Sequence, residues 1–161
     1  MNAAAGAAGW EAAHPGFVAV HTEVETGRPA AAVFDFATTP AQWHRWHPAT
    51  VAVRDVPDRP LTTGETILEE IAVAGRREAA LWTVMACESA ARWEIATATP
   101  SGDAWIVYCL TPTGAGCRFQ RTLRFRSKRW PWRTLDDTLL RWVLVRQSAR
   151  ALANLRAVLE G

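Results

Sequence analysis

The stretch from Gly27 to Thr50 reads GRPAAAVFDFATTPAQWHRWHPAT and predicts two short helices in succession. Proline suits the first turn of a helix, because the amide that it lacks would have no partner there. Pro29 and Pro40 stand at such positions. Apolar residues recur at helical spacing over residues 30–37, and a second helix is predicted over 40–46, where a further proline soon ends it.

Strands are predicted on both sides of this stretch. Residues 17–26 alternate between apolar and polar side chains, which is typical of a half-buried β-strand. Downstream, apolar runs are separated by short breaks rich in Gly, Pro, Ser and Asp. The predicted strands there are 50–56, 66–74, 77–87, 92–98, 104–111 and 117–126. Breaks this short join antiparallel neighbours, so the strands should form a meander.

The C-terminal residues from Thr134 to Glu160 contain no Pro or Gly and predict one helix about 40 Å long. Leu140, Leu144 and Ser148 share one of its faces, and the sheet is the only partner large enough to cover that face. The predicted fold class is therefore α+β in the order β-α-α-β6-α, with a seven-stranded antiparallel sheet wrapped around the long helix. A cavity is expected between the helix and the twisted sheet.

The composition fits one domain over residues 17–161 behind a flexible lead-in over 1–16. No apolar run predicts a membrane helix and the lead-in lacks the basic region of a signal peptide, so a cytoplasmic location is expected. The net charge of +2 argues against a nucleic-acid partner. Three cysteines without CxxC spacing predict no metal site, and no nucleotide, serine-hydrolase or zinc-protease motif predicts a cofactor.

The segment 27–50 resembles the opening of START-like SRPBCC proteins, particularly the polyketide cyclase/dehydrase and lipid-transport-like group. The residues that carry this resemblance are Pro29, Val33, Phe34, Trp43, Trp46 and Pro48. In element order and length the resemblance covers about residues 17–160, and it implies a helix-grip fold. The family includes lipid binders, cyclases and dehydratases, so the resemblance does not fix a function.

Arg121 is the most informative candidate for a functional residue. By the two-residue period of the last predicted strand, it is the charged member of an inward apolar row. A buried guanidinium needs a partner, which a ligand carboxylate, phosphate or enolate oxygen would supply. An internal ion pair, or a place near the solvent-exposed edge of the strand, is the alternative for Arg121.

Glu69 is the candidate partner for such an internal ion pair. Burial would make Glu69 a general acid or base, and a solvated Glu69 is the alternative.

Two more residues are candidates for moving a proton or orienting a ligand. His47 lies in the sequence WHRWHP, where His44 and His47 flank Trp46. A polar rim around a packed tryptophan is the alternative interpretation of both histidines. Tyr108 is the only tyrosine, and its strand is apolar on both faces, so periodicity does not say which way it points.

Residues 124–133, RFRSKRWPWR, interleave basic residues with Trp130 and Trp132. Alternate connections of a meander lie at the same end of the sheet. This segment should therefore lie beside the turns at 47–50, 75–77 and 100–103. By analogy with the family, that end is a basic cavity mouth. A transient membrane-surface contact through 124–133 is expected, with packing of the tryptophans under the helix start as the alternative. The predicted ligand contacts are Trp46, Phe119, Arg121, Leu144, Ser148, Trp130 and Trp132.

Three functions follow as hypotheses. The first is binding or carriage of a small hydrophobic or amphipathic ligand, such as a lipid, a polyketide-like molecule or an isoprenoid, which needs no catalytic residue. The second is a cyclase or dehydratase in which Arg121 polarises a carbonyl and Glu69, Tyr108 or His47 moves the proton. The third is a homodimeric interaction module that pairs through an apolar strip of Trp142, Val145 and Ala149.

Overall fold

The computed structural model describes residues 14–130, 134 and 136–161, and its strands form one curled antiparallel sheet. The strands are β1 Val18–Thr26, β2 Thr50–Val53, β3 Thr66–Val73, β4 Arg76–Glu88, β5 Arg92–Ala98, β6 Gly102–Thr113 and β7 Gly116–Ser127. Their order in the seven-stranded sheet is β1-β7-β6-β5-β4-β3-β2. Strands β2 to β7 are therefore a meander, and β1 closes against β7 at the far edge.

Two α-helices complete the fold, α1 over Ala30–Thr38 and α2 over Arg141–Glu160. The predicted α+β fold is confirmed in its element order, and the long C-terminal helix packs across the sheet. Two local differences stand out. The second short helix is a 3₁₀ helix over Pro40–Arg45, and a π-helical turn over Asp136–Leu140 precedes α2. Wide turns of this kind are frequent at functional sites, and Leu140 at its end lines the cavity described below.

The hydrophobic core lies between the concave face of the sheet and the two α-helices. Tryptophans contribute much of its volume, with Trp46 and Trp93 among the largest fully buried side chains. The Trp93 indole N–H donates to the Leu61 carbonyl oxygen at 2.9 Å, and the Trp43 indole N–H donates to Ala37 at 3.0 Å. These bonds fix two bulky rings in the core, and one of them, Trp43, lines the cavity described below.

Gly116 begins β7 where that strand meets the end of β1. A Cβ atom on Gly116 would lie 2.2 Å from the Thr26 carbonyl oxygen and 2.7 Å from the Gly27 carbonyl carbon. Gly114, in the same turn, has no atom within 4 Å of such a position. We therefore expect Gly116→Ala to lower the free energy of unfolding by roughly 2–3 kcal/mol. Gly114→Ala, measured beside it in urea, should stay within about 0.5 kcal/mol of the native protein. Equal stability of the two variants would contradict this account of the β1–β7 closure.

No helix among the described residues is long and apolar enough to cross a membrane. The three cysteines are free thiols, with Cys117 buried and the other two partly exposed. Within the described part of the chain, no cluster of three or more His, Cys, Asp or Glu side chains is arranged to hold a metal ion.

Candidate functional site

A cavity of about 330 Å³ lies between the concave face of the sheet and the start of α2. Its volume is at the lower end of the roughly 300–1,000 Å³ that is usual for small-molecule sites. Apolar side chains form most of the wall: Trp43, Trp46, Ile71, Val73, Trp82, Ile95, Ile106, Leu123, Phe125, Leu140 and Leu144. An apolar wall of this kind favours a ligand that is itself largely apolar.

Arg121 is the charged centre of the cavity wall. Its side chain is only 2% exposed, as expected from the inward row of β7. One terminal nitrogen, Nη1, donates to Ser148 Oγ on α2 at 2.8 Å, and Nη2 contacts His47 Nε2 at 3.1 Å. Burial lowers the pKa of Arg121 from its ordinary value. Among the described residues, no carboxylate lies within ion-pair distance of this guanidinium.

His47 is held as a neutral ring beside this cation. Burial, together with the charge of Arg121, lowers the pKa of His47 to about 3. Because a guanidinium can only donate, Nε2 must accept the Arg121 bond, and the proton of the neutral ring is therefore on Nδ1. That Nδ1–H is buried and has no hydrogen-bond partner among the described residues, and the same is true of Trp46 Nε1 and Arg121 Nε. A buried donor without an acceptor costs about 1–3 kcal/mol.

Tyr108 faces the cavity directly across from Arg121, its register partner on β7. The ring stacks on Trp93 with centroids 5.4 Å apart and an interplanar angle of 25°. Burial raises the pKa of Tyr108 to about 12, although the charge of Arg121 opposes this shift. The phenol is therefore a neutral hydroxyl that can donate a hydrogen bond to a ligand.

Glu69 also lies in the cavity wall, and its side chain is only 4% exposed. Its two oxygens accept hydrogen bonds from Thr50 Oγ1 at 2.5 Å and from Trp82 Nε1 at 2.8 Å. Burial raises the pKa of Glu69 to about 7, against the opposing effect of these two bonds and the charge of Arg121. Near neutral pH this carboxyl can therefore either give or take a proton.

The cavity brings together most of the residues predicted from the sequence. Arg121, Glu69, Tyr108 and His47 all line it, and we call these four with Ser148 the inner polar cluster. The predicted ligand contacts Trp46, Leu144 and Ser148 line it as well. His44, in contrast, is exposed to solvent.

Two predicted ligand contacts are placed elsewhere by the structure. Phe119 shares the inward face of β7 but lies behind the cavity wall, with its ring against those of Trp46 and Tyr108. Trp130 is 82% exposed and does not line the cavity, because its side chain lies in solvent, whereas the preceding Arg129 does line it. Trp132 lies outside the described residues.

Thr50 and Trp82, the two hydrogen-bond partners of Glu69, were not among the residues predicted from the sequence. Trp82 is the diagonal neighbour of Glu69 across the β3–β4 ladder, since Glu69 pairs with Ala80. The alternation of β4 could have indicated this contact, because it places Trp82 on the same inward face of the sheet as the Glu69 carboxyl. Thr50 lies at the start of β2, where a register shift in the β2–β3 pairing hides the relation from simple alternation.

The mouth of the cavity is basic, as the meander predicted. Arg76 and Arg77 from the β3–β4 turn and Arg129 after β7 line it, beside Ser101 and Gly102 of the β5–β6 turn. Glu78 lines the cavity at this end too, and it accepts hydrogen bonds from Thr99 and Ser101. Asp103, at the start of β6, is the second acidic residue here. It is neutralised by Arg126 at 2.8 Å and by Lys128 at 2.5 Å. His47, expected at this mouth, instead reaches Arg121 in the inner polar cluster.

The apolar strip predicted on the long helix is exposed. Trp142 and Val145 are both accessible to solvent, and Ala149 lies beside them. Pairing of two chains through this strip stays a prediction, which sedimentation at high protein concentration would test.

Comparisons with known structures agree with this architecture. Protein CV1439 from Chromobacterium violaceum has a TM-score of 0.69 at 14% identity, over 89% of this chain and 98% of its own. Protein Ms6760 from Mycobacterium smegmatis has a TM-score of 0.63 at 17% identity, over 88% of this chain and 90% of its own. Ara h 8.0201 has a TM-score of 0.61 at 14% identity, over 90% and 99%. At these identities the likeness shows the fold alone.

The sequence itself gives the family. No protein with a curated description matches the chain. The family model described as polyketide cyclase/dehydrase and lipid transport matches residues 18–160, which contain the whole sheet and both α-helices. The chain therefore belongs to the polyketide cyclase/dehydrase and lipid transport family, within the SRPBCC superfamily of helix-grip proteins.

Proposed function

We propose that this protein binds a small, largely apolar ligand that carries an acidic or enolic oxygen, with that oxygen at Arg121. One observation carries the proposal: the guanidinium is buried in an apolar cavity and contacts neutral groups among the described residues. An ion taken out of water costs several kcal/mol unless an opposite charge or good hydrogen bonds offset that cost. A ligand oxyanion would supply the charge that Ser148 and His47 do not.

The other donors around Arg121 support the same chemistry. The Nδ1–H of His47, the Nε1–H of Trp46 and the Nε–H of Arg121 are buried without acceptors among the described residues. Tyr108 adds a neutral hydroxyl on the facing strand. A cluster rich in donors and poor in acceptors favours a ligand group that only accepts hydrogen bonds, such as a carboxylate, phenolate or enolate.

The cavity volume limits the ligand to a modest size. A volume of about 330 Å³ suits a single acyl chain, an isoprenoid or a few fused rings, as in a polyketide-like molecule. The apolar walls would hold this body and Arg121 would hold its polar end.

Acid–base catalysis is a second candidate function, and Glu69 is the observation that favours it. Its pKa of about 7 and its place in the cavity wall suit proton transfer near neutral pH. In a cyclase or dehydratase, the Glu69 carboxylate would take a proton from the carbon next to a ligand carbonyl. The electron pair would move to the carbonyl oxygen, where Arg121 would stabilise the enolate. With a true substrate, Glu69→Gln should keep binding and lose turnover; unchanged turnover would remove this function.

The ligand can be sought directly in freshly purified protein by native and then denaturing mass spectrometry. We expect a co-purified species that leaves on denaturation and is detected as an anion of modest mass. A bound cation or a polar metabolite without an acidic or enolic group would contradict the proposal. Protein that is free of ligand and takes up none from a panel of fatty, isoprenoid and aromatic acids would contradict it as well.

A further inference from the structure

Four of the eight large apolar side chains that are exposed among the described residues lie in the stretch of chain between Arg129 and Gln147, which both line the cavity. Trp130 follows the mouth residue Arg129, and it is joined by Leu139, Trp142 and Val145, which are 48%, 56% and 38% exposed. Leu140 and Leu144, interleaved with these residues in sequence, line the cavity from inside. The start of α2 is therefore apolar on both sides, with one side facing the cavity and the other facing water. Large apolar side chains held in water at one place mark an interaction surface.

The same surface is cationic. Arg76, Arg129 and Arg141 are exposed, and Arg146 lies over the ring of Trp142 at 4.8 Å. Between Arg124 and Arg150 the sequence holds eight Arg and Lys residues but two acidic ones, which gives this part of the chain a strong positive excess. The carboxylate of Asp103 is already shared by Arg126 and Lys128. Arginine on a flat apolar surface is attracted to anionic headgroups while its stem stays in contact with the apolar layer.

We propose that this docking surface, made of Trp130, Leu139, Trp142 and Val145 with Arg76, Arg129, Arg141 and Arg146, binds the surface of an anionic lipid bilayer. Tryptophan prefers the boundary between headgroups and acyl chains, and each basic residue adds attraction to anionic lipid. Docking in this way places the cavity mouth against the bilayer. An apolar ligand then passes between membrane and cavity without crossing water. The docking itself does not require the ligand to be acidic, so it stands apart from the proposal for Arg121.

The test is flotation of the protein with vesicles of phosphatidylcholine alone or mixed with phosphatidylglycerol. We expect binding to the mixed vesicles, weakened by added salt, and little binding to the neutral ones. Arg76→Gln/Arg129→Gln should lower the partition coefficient on the mixed vesicles by roughly 25-fold, about fivefold for each cation. Trp130→Ser should weaken this partitioning as well, because it removes an aromatic ring that is 82% exposed.

Matched controls come from the other parts of the molecule. Arg28 and Arg118 lie at the opposite end of the β1–β7 pair, so Arg28→Gln/Arg118→Gln removes the same net charge far from the mouth. Leu68, an exposed residue on the outer face of β3, gives Leu68→Ser as the apolar control. Both controls should float like the native protein, and thermal unfolding should show that all the variants fold.

Three results would overturn the proposal. Equal loss of binding in the two double variants would show that vesicle binding depends only on the net charge of the protein and not on where the arginines lie. Equal binding to neutral and anionic vesicles would remove the role of the arginines. Binding to a nucleic-acid duplex without binding to vesicles would show that the basic surface serves another partner.

Discussion

Arg121→Met is expected to lower the affinity for decanoate about 100-fold and to leave the affinity for decanol almost unchanged. The two probes share an alkyl chain and differ in whether the polar end is an anion. A buried charge pair with hydrogen bonds is worth about 2–5 kcal/mol, and the loss would fall on the carboxylate alone. Isothermal titration of both probes into both proteins measures the difference. Arg118→Met, which changes an exposed arginine of the same strand, is the matched control and should bind both probes like the native protein.

The stability of the same variant distinguishes a ligand-binding arginine from a structural one. If Arg121 mainly serves a ligand, its replacement removes a buried charge that has no ion pair among the described residues, and the melting temperature should stay the same or rise. If Arg121 mainly holds α2 to the sheet through Ser148, Arg121→Met should unfold at a lower temperature. An equal loss of affinity for the acid and the alcohol, together with lower stability, would contradict the proposed role.

Glu69→Gln is expected to make the protein more stable at pH 8 and to flatten its dependence on pH. The folded pKa of about 7 lies above the ordinary 4.5, so the folded state binds more protons than the unfolded state between these values. Stability therefore falls as the pH rises from about 4.5 to 7, and above pH 7 the full penalty applies. A shift of this size corresponds to about 3 kcal/mol, as an order of magnitude.

Glutamine can keep both hydrogen bonds of Glu69. Its oxygen would accept from Trp82, and its amide would donate to a rotated Thr50 hydroxyl. Glu65→Gln is the control of opposite sign, because the bond to Arg59 lowers the pKa of Glu65 to about 2. The ionised Glu65 carboxylate stabilises the folded state above pH 4.5, and this stabilisation is lost as the pH falls toward 2. Urea unfolding across pH 2–8 measures both variants. A Glu69→Gln protein that is less stable than the native protein at pH 8 would show that Glu69 is ionised and stabilising.

Particular residues show how far the sequence predicts the site. The inward position of Arg121 was predicted correctly because β7 alternates cleanly, so that one charge in an inward row stands out. Glu69 was ambiguous because its neighbour Leu68 is an apolar residue exposed on the outer face, which blurs the alternation of β3. Tyr108 was not placed because β6 is apolar on both faces.

Two features could not be predicted from the sequence: how deep a side chain lies in the core, and which distant residues contact each other. Alternation tells which face a residue occupies but not whether it reaches the cavity, which is why Phe119 was predicted as a ligand contact and lies behind the wall. The bond from Arg121 to His47 joins residues 74 positions apart. Such a contact depends on how the 3₁₀ helix Pro40–Arg45 packs on the sheet, and no local sequence pattern predicts that packing. The overall fold was easier, because turn residues and helix periodicity mark each element separately.

A crystal structure of the protein with decanoate tests the central claim most directly, because it shows which end of the cavity takes the acid. We predict that the carboxylate lies within hydrogen-bond distance of the Arg121 guanidinium, with the alkyl chain along the apolar walls toward the mouth. A carboxylate held by Arg76 and Arg129, with the chain end buried at Arg121, would contradict the claim. A cavity that stays free of decanoate at saturating concentration would contradict it too.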